Sequence, residues 1–290
     1  MNSLEITNRI MRTNKLFAKK CFGQNFLVDD NILSGIVENS NVEADDLVIE
    51  IGPGLGNLTE YILQTGAQVL AFEIDTDMIE ILNGRFTAHS NLTIVNMDIL
   101  KVNLEEYIKD VKGKVRVIAN LPYYITTPII FKLLEYKGNI ASITVMVQKE
   151  VADRIASKPG SKEYGVLTIN TNYQADVEKI FVVPNTSFIP APNVTSAVIK
   201  ITPNKAKEQE LGIKDGKIFE ELVKKAFSER RKKLANSLAN CGLCGLTKPE
   251  IEEIIKNVGL KETVRAEEVS VETYAKIANE IYELKKQVNK

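Results

Sequence analysis

Leu47-Val48-Ile49-Glu50-Ile51-Gly52-Pro53-Gly54-Leu55-Gly56-Asn57 is the stretch that decides the fold of this chain. Its first five residues form a short, mostly apolar run of the kind found in strands that are buried on both faces. Three glycines at alternate positions follow, and apolar residues then recur at helical spacing from Leu58 to Leu63. A strand, a glycine turn and a helix form the unit with which a doubly wound sheet binds a nucleotide-like ligand, because the backbone turns tightly and the start of the helix offers unpaired N–H groups.

The next predicted strand, Gln68 to Glu73, indicates which ligand is bound. It ends in an acid about twenty residues after the glycine turn, where a carboxylate can accept from ribose hydroxyls. The glycines are spaced Gly-x-Gly-x-Gly, which disfavours a pyrophosphate-containing ligand. S-adenosylmethionine has a ribose and an adenine but no phosphate, so we predict that Gly52, Gly54 and Glu73 bind this cofactor. A charged residue that merely ends a strand is the alternative for Glu73.

Size and composition favour a soluble globular protein of about two domains. The chain has 290 residues, of which 44% are hydrophobic and 26% are charged. No apolar run approaches the ~18 residues of a membrane span, and the N-terminus lacks the apolar centre of a secretion signal. We expect no membrane partner and a cytoplasmic location. A transit peptide is the alternative for the basic N-terminus, and Glu5 argues against it.

Cysteine and histidine usage argues against disulfides and metals. Three cysteines are an odd number, which does not suit a disulfide framework. Cys241 and Cys244 have the spacing of half a zinc site, but no second pair exists and the single histidine, His89, is far away in sequence. We interpret the pair as small residues in a turn between helices, predict no metal, and give His89 no role because its surroundings are those of a polar loop.

The net charge of -1 does not by itself suggest a nucleic-acid partner, but the basic residues are clustered. One cluster lies in the N-terminal arm and contains Arg9, Arg12, Lys15, Lys19 and Lys20, and the second covers residues 224–233. Such patches attract phosphate even on a neutral protein. Solvated helix faces are the alternative for each patch.

The order of predicted elements indicates an α/β fold of the Rossmann-like class I methyltransferase type. Further strands are predicted at 92–96, 115–119 and 142–147 and alternate with helices, which implies a parallel sheet with right-handed crossovers. Residues 177–183 and 194–201 resemble an antiparallel hairpin. We predict a basic arm with little regular pattern at 1–22, a cofactor-binding methyltransferase domain at 23–203 and a small all-helical, substrate-binding domain at 204–290.

Four polar or small residues follow successive strand ends, at Gly52, Glu73, Asp98 and Asn120. Ligands of an open parallel sheet bind beyond the carboxyl ends of its strands, so these residues should converge. We assign Glu73 to the ribose and Asp98 to the adenine amine of the cofactor. Asn120 begins Asn-Leu-Pro-Tyr, which we interpret as the site that accepts the methyl group.

The chemistry of an adenine amine explains this acceptor motif. The lone pair of that nitrogen is delocalised into the ring, so the amine is a poor nucleophile. The side-chain oxygen of Asn120 and the carbonyl of Leu121 can hold both amine hydrogens and turn the lone pair toward a methyl donor. Pro122 fixes the turn, Tyr123 offers a face for the base, and Phe188 is predicted as a second wall. An ordinary turn after a strand, and a core phenylalanine in a proline-rich hairpin, are the alternatives.

Together these motifs resemble the ribosomal RNA adenine N6,N6-dimethyltransferases. The stretches that carry the resemblance are Gly23-Gln24-Asn25-Phe26-Leu27, Glu50 to Gly56, Asn120 to Tyr124, Phe188-x-Pro190-x-Pro192-x-Val194-x-Ser196, Gln148 to Val151, Pro159 to Gly165 and Arg230 to Leu238. The Pro-Gly-Ser-Lys stretch and the Arg-Arg-Lys helix favour the bacterial small-subunit branch over the antibiotic-resistance relatives, which methylate large-subunit RNA.

The resemblance implies site residues and a substrate. Cofactor contacts carry over to Asn25, Leu27, Gly52, Glu73, Asp98 and Asn120. The substrate would be two adjacent adenosines in the 3′-terminal hairpin of 16S ribosomal RNA, on an immature small subunit, and we expect a monomeric enzyme. The basic residues Arg230, Arg231, Lys232 and Lys233 become contacts to RNA phosphates. The alternatives are an amino methyltransferase acting on DNA adenine or protein glutamine, and a non-catalytic assembly or transcription factor.

Overall fold

The computed structural model describes residues 1–15 and 24–288. The predicted basic residues Lys19 and Lys20 therefore lie outside the described residues. The strands are, in chain order, β1 (Phe26–Leu27), β2 (Leu47–Ile51), β3 (Gln68–Glu73), β4 (Leu92–Asn96), β5 (Val115–Asn120), β6 (Ile140–Gln148), β7 (Ala175–Val183), β8 (Phe188–Ile189) and β9 (Ser196–Pro203).

The helices are α1 (Ser3–Thr13), α2 (Asp30–Ser40), α3 (Asn57–Leu63), α4 (Thr76–Arg85), α5 (Glu105–Ile108), α6 (Thr126–Glu135), α7 (Lys149–Ile155), α8 (Val166–Asn172), α9 (Lys205–Leu211), α10 (Gly216–Ala226), α11 (Leu234–Asn240), α12 (Lys248–Asn257) and α13 (Val271–Val288). Short 3-10 helices include Ile99–Lys101 and Tyr123–Ile125. Among the described residues, none of the helices combines the length and the apolar character that crossing a bilayer requires.

Seven strands of the described residues form one sheet in the order β4-β3-β2-β5-β6-β9-β7. The first five strands in this order are parallel to their neighbours, and β9 runs antiparallel to β6. This arrangement confirms the predicted α/β class. The two strands of the predicted C-terminal hairpin close the sheet, with β9 lying between β6 and β7. From β2 the chain adds β3 and β4 on one side, and it then returns to add β5 and β6 on the other side of β2. A doubly wound sheet binds its ligand at the point between β2 and β5 where the order of strands switches.

The N-terminal arm is more regular than predicted. Residues Ser3–Thr13 form α1, although the arm was expected to have little regular pattern. Asn2 caps the helix, because its side chain accepts from the amide of Glu5 while the Glu5 carboxylate accepts from the amide of Asn2. The helix buries Ser3 and Thr7, and these small polar side chains weaken the apolar stripe by which a helix is recognised in a sequence.

A two-stranded antiparallel sheet joins two motifs that are far apart in the sequence. Leu27 pairs with Phe188, and Phe26 pairs with Ile189. The sequence predicted only that residues 23–27 would be compact. Strand β1 has two residues and β8 has two, so neither shows the alternation that would reveal a strand in the sequence.

The chain divides into two compact units. Unit 1 contains residues 1–152 and 177–203, and unit 2 contains residues 153–176 and 204–290. The predicted division assigned residues 153–176 to the sheet domain. In the structure these residues belong to the helical unit, because Tyr164, Ile169 and Tyr173 pack in the same apolar cluster as Phe219 and Tyr274. An insertion that packs on a later segment leaves no mark in local sequence patterns.

Candidate active site

A cavity in unit 1 lies at the carboxyl ends of β2, β3 and β5. Its lining includes ten of the residues that the sequence singled out. They come from the glycine turn, the strand ends, the Asn-Leu-Pro-Tyr motif and the segment around β1. These predicted residues are Asn25, Leu27, Gly52, Gly54, Glu73, Asp98, Asn120, Leu121, Pro122 and Tyr123. The convergence at strand tips that parallel topology requires is therefore observed.

The carboxylate of Glu73 is held at the tip of β3 by backbone amides. Its Oε1 accepts from the amides of Ile74 and Asp75, each at 2.9 Å, and its Oε2 accepts from the amide of Gly54 at 3.1 Å. The side chain is 6% exposed, and burial raises its pKa above the usual value although these hydrogen bonds act in the opposite direction. Glu73 thus joins the glycine turn to β3 and fixes an acceptor at the cavity wall.

The glycine turn leaves space where a side chain would stand. Gly52 has a φ of +65°, and a Cβ atom built on it meets no atom within 4 Å. Because Gly52 lines the cavity, the backbone there is open to a ligand that approaches closely. Gly56 is required for a different reason, since a Cβ atom there would lie 2.5 Å from the ring of Phe86. The residues present fit the predicted cofactor, which needs a ribose acceptor beside an open backbone turn.

Asp98 follows β4 and caps the 3-10 helix Ile99–Lys101, where its Oδ1 accepts from the amide of Leu100 at 3.0 Å. The neighbouring side chains Ile74 and Met97 are 51% and 41% exposed and also line the cavity. The sequence analysis gave neither of them a role. The available indication was that each is an apolar residue directly after a predicted strand end. Flat apolar surfaces beside a carboxylate suit a purine ring with an exocyclic amine.

Asn120 is oriented by a bond to the segment before β1. Its Nδ2 donates to the carbonyl oxygen of Asn25 at 3.2 Å. That carbonyl can only accept, so the amide nitrogen of Asn120 must face Asn25 and Oδ1 takes the other direction. No hydrogen bond to Oδ1 is made by any residue that the structure describes. Because Asn120 lines the cavity, its Oδ1 is available as an acceptor, and the acceptor role itself stays a prediction.

Tyr123 is fixed by the antiparallel part of the sheet. Its hydroxyl lies 2.7 Å from Oγ of Ser196, the first residue of β9, and burial raises the pKa of the phenol. The amide of Leu121 donates to the carbonyl of Met146 on β6. The family motif included Ser196, but the sequence gave it no role. Its contact explains how a strand far along the chain positions the acceptor loop.

Phe188 is not among the residues that line the cavity. It is 3% exposed and packs in an apolar cluster that contains Leu27 and Leu33. In the structure Phe188 packs in the core beside its strand partner Leu27, and its role as a second wall stays a prediction. Tyr124, which is 60% exposed, also lines the cavity beside Tyr123.

Glu50 is a cavity-lining residue to which the sequence gave no role. It is fully enclosed, and its Oε2 accepts from the hydroxyl of Thr59 at 2.7 Å. Loss of hydration raises the pKa of Glu50 to about 8, and the nearby charge of Glu73 adds to this. The signal in the sequence was an acid inside an otherwise apolar strand.

The basic stretch Arg230 to Lys233 lies in unit 2 and forms a turn between α10 and α11, where a helix was predicted. Arg230 donates from its guanidinium to the carbonyl oxygens of Lys162 and Tyr164 and lies 3.5 Å from a carboxylate oxygen of Glu267. It therefore has a structural role in holding the Pro159–Gly165 loop. Arg231, Lys232 and Lys233 are exposed, and Lys232 pairs with Glu229 at 2.6 Å.

Comparisons with known proteins agree with this geometry. The family model described as ribosomal RNA adenine dimethylase matches residues 16–283. The ribosomal RNA small subunit methyltransferase A of Lachnoclostridium phytofermentans is 43% identical over 97% of this chain and 96% of its own length. The protein of the same name from Lactococcus lactis is 44% identical over 97% of this chain and 95% of its own length.

Solved structures show the same architecture. A dimethyladenosine transferase from Plasmodium falciparum superposes with a TM-score of 0.74 at 25% identity and covers 90% of this chain and 98% of its own. The 23S rRNA methyltransferase ErmE shares the fold with a TM-score of 0.66 and covers 89% of this chain and 100% of its own. The match along nearly the whole sequence and the cavity at the strand tips lead to one conclusion: the chain belongs to the ribosomal RNA adenine dimethylase family of S-adenosylmethionine-dependent methyltransferases.

Proposed function

We propose that this enzyme dimethylates the N6 amines of two adjacent adenosines in the 3′-terminal hairpin loop of 16S ribosomal RNA, on an immature small subunit. The choice of subunit is supported by relatives named ribosomal RNA small subunit methyltransferase A, which are 43% and 44% identical over 97% of this chain. The RNA substrate supports a cytoplasmic location. We further propose a monomer.

The observation that carries the proposal is the orientation of Asn120. Because Nδ2 is bonded to the carbonyl of Asn25, Oδ1 is the free branch of the amide at the cavity wall. Oδ1 and the carbonyl oxygen of Leu121 are the two acceptors that would hold the hydrogens of an adenine amine. This draws the nitrogen toward tetrahedral geometry and frees its lone pair. Positioning of this kind supplies on the order of 7–11 kcal/mol of rate acceleration.

The cofactor supplies a methyl group on a positively charged sulfur, which is already a good leaving group, so no metal is needed. Gly52, Gly54, Glu73, Asp98, Asn25 and Leu27 are the residues that would hold it. Glu73 would accept from the ribose hydroxyls, and Asp98 would accept from the adenine amine. Ile74 and Met97 would exclude water from the faces of the purine.

No residue needs to act as a strong base. The target nitrogen becomes acidic only as it forms its new bond to carbon, and its proton then leaves to water. The phenol of Tyr123 stays protonated, because burial raises its pKa. Its role is to offer an aromatic face to a base that has left its stack, a contact worth about 1–3 kcal/mol. A hairpin loop makes that unstacking less costly than a duplex does.

RNA phosphates would be contacted by the exposed part of the basic turn, Arg231, Lys232 and Lys233. Arg230 shares the predicted role but is also bonded within unit 2. These charges act at a distance and carry no sequence information, so the choice of adenosine belongs to the cavity and to the shape of the hairpin.

The decisive experiment is mass spectrometry of small-subunit RNA from cells that lack this protein. We expect both N6,N6-dimethyladenosines to be missing and to return with the wild-type gene but not with Asn120→Ala. In parallel, labelled S-adenosylmethionine is offered with immature subunits, naked DNA and release factors. Label in DNA or in a glutamine would overturn the substrate, and subunit binding without any label would favour an assembly factor.

A further inference from the structure

Helix α1 packs behind the wall of the cofactor cavity, although its own residues do not line that cavity. Ile10 and Met11 pack against an apolar cluster formed by Phe26, Leu55 and Met78. Phe26 lies in β1 and Leu55 lies in the glycine turn, and both line the cavity. The helix therefore contacts the two backbone segments between which the cofactor site is formed.

One buried amide connects these parts. Asn57 is 5% exposed, and its Nδ2 donates to Oγ1 of Thr7 on α1 and to the carbonyl oxygen of Leu27, both at 2.8 Å. Its Oδ1 accepts from the guanidinium of Arg85 at 3.0 Å. Nδ2 and Oδ1 of this side chain are thus both hydrogen-bonded within the protein, so its orientation is fixed.

Arg85 extends the connection to the glycine turn. The guanidinium nitrogen that donates to Asn57 also donates to the carbonyl oxygen of Leu55 at 2.6 Å, and the other terminal nitrogen pairs with Glu60 on α3. The path therefore runs from Thr7 through Asn57 to Leu27 on one side, and through Arg85 to Leu55 on the other. Thr7 is completely buried and Asn57 nearly so, so water does not replace the bond between them.

We propose that Thr7 and Asn57 are positioning residues for the cofactor site, and that docking of α1 is thermodynamically coupled to cofactor binding. The docked helix holds Leu27 and Leu55 at the spacing that the cofactor needs, and the bound cofactor holds the helix in return. This inference rests on the cofactor of the family and not on the proposed small-subunit substrate, so it survives if another RNA is the true substrate.

Thr7 provides the cleaner test, because Asn57 itself lines the cavity. Thr7→Val removes the hydroxyl but keeps the shape of the side chain, and Thr7→Ser keeps the hydroxyl. The affinity for S-adenosylmethionine is measured by calorimetry, and KM and kcat are measured with immature subunits. We expect Thr7→Val to weaken cofactor binding and raise the KM for the cofactor by about three- to tenfold, with kcat and the KM for RNA little changed. Thr7→Ser should restore most of the affinity.

A matched control separates positioning from general loss of stability. Ser40 is another fully buried hydroxyl in unit 1, which donates to the carbonyl of Ile36 and lies beside Arg116 near the amino ends of the strands. Ser40→Ala should lower the melting temperature without changing cofactor affinity. If Thr7→Val lowers the melting temperature and leaves cofactor affinity within twofold of wild type, the proposal is overturned.

A second measurement uses the wild-type protein and so does not depend on folding of a variant. Coupling is reciprocal, so saturating S-adenosylhomocysteine should slow hydrogen exchange at the amides of Ser3–Thr13. Helix α12 in unit 2 serves as the reference for a general change in stability. Exchange in α1 that slows no more than exchange in α12 would contradict the proposal.

Discussion

Nδ2 of Asn120 lies 3.2 Å from the carbonyl oxygen of Asn25, so the tip of β5 is tied to a segment that precedes it by 95 residues. This bond decides which branch of the amide serves as the acceptor. It also links the part of the cavity that would hold the base to the part that would hold the cofactor.

Asn120→Ala should abolish most methyl transfer while leaving RNA binding intact. The variant loses one of two acceptors for the amine, and loss of one preorganised hydrogen-bonding group at a reacting centre costs about 100- to 1000-fold in kcat. Single-turnover transfer from labelled S-adenosylmethionine measures this rate, and filter binding measures RNA affinity. Near-normal turnover would remove the assignment of Asn120.

Asn120→Asp refines the same test. Its two oxygens both accept, so one of them would face the carbonyl of Asn25 without a donor between them. We expect this variant to lose activity as well, although it keeps an acceptor oxygen. Activity close to wild type in Asn120→Asp would show that the bond to Asn25 does not orient the side chain.

Glu73→Ala should weaken cofactor binding by about 10- to 100-fold, because bonds to a charged acceptor contribute about 1.5–3 kcal/mol. The amides of Gly54, Ile74 and Asp75 also lose their common acceptor, so the glycine turn loosens. Calorimetry with S-adenosylhomocysteine measures the affinity. Glu80→Gln, an exposed acid on α4, is the control and should bind the cofactor like wild type.

Glu50 should make the stability of the cofactor-free protein depend on pH. Burial raises its pKa from 4.5 to about 8, so the folded protein retains a proton that the unfolded chain has lost. Stability from this group is fully present below pH 4.5 and falls as the pH rises through 8, with a slope of roughly 1.4 kcal/mol per pH unit at most.

Glu50→Gln removes this titration and keeps an acceptor for Thr59. Urea unfolding at several values between pH 5 and pH 8 should therefore show the variant gaining on wild type as the pH rises. A constant difference between the two proteins over this range would mean that Glu50 is ionised in the folded state at neutral pH.

Tyr123→Phe and Tyr123→Ala should differ. The phenylalanine variant keeps the aromatic face and loses only the bond to Ser196, so we expect kcat/KM to fall by less than about tenfold. The alanine variant also loses the stacking surface, for a further loss on the order of 10- to 100-fold. Equal losses in the two variants would assign the effect to the hydroxyl instead of the ring.

A fourfold variant tests the basic turn by changing Arg230, Arg231, Lys232 and Lys233 to glutamine. It should bind RNA more weakly and with a flatter salt dependence, because each lost phosphate contact reduces the slope of log affinity against log salt concentration by about one. Fluorescence anisotropy between low and moderate salt measures both quantities. Arg230→Gln alone separates the structural role, since it should lower the melting temperature of the protein by freeing the carbonyls of Lys162 and Tyr164. An unchanged salt slope in the fourfold variant would refute the RNA contact.

Much of unit 1 was readable from the sequence because its elements are defined locally. The apolar run Leu47–Ile51, the glycines after it and the acid at the end of β3 are each recognisable without knowledge of a partner. Parallel topology then brings strand ends together, so Gly52, Glu73, Asp98 and Asn120 were expected at one edge, and they line one cavity.

The sequence did not show the contacts between distant segments. Phe188 was expected at the acceptor site but is buried, because two-residue strands pair with each other and carry no periodic pattern. Residues 153–176 belong to the helical unit because their apolar partners, such as Phe219 and Tyr274, lie in a later part of the chain. Helix α1 was missed since its buried face carries Ser3 and Thr7, and their polar side chains find partners only after folding.

Local sequence patterns were enough to identify the fold class and the cofactor, and they predict the chemistry of the acceptor motif, because hydrophobic period, glycine spacing and side-chain type act over a few neighbouring residues. Tertiary structure alone decided which way the Asn120 amide faces, what holds Tyr123 and Asn57, and which segments join each unit. Those outcomes depend on hydrogen bonds and packing between residues tens of positions apart, and such bonds exist only when the chain has closed around them.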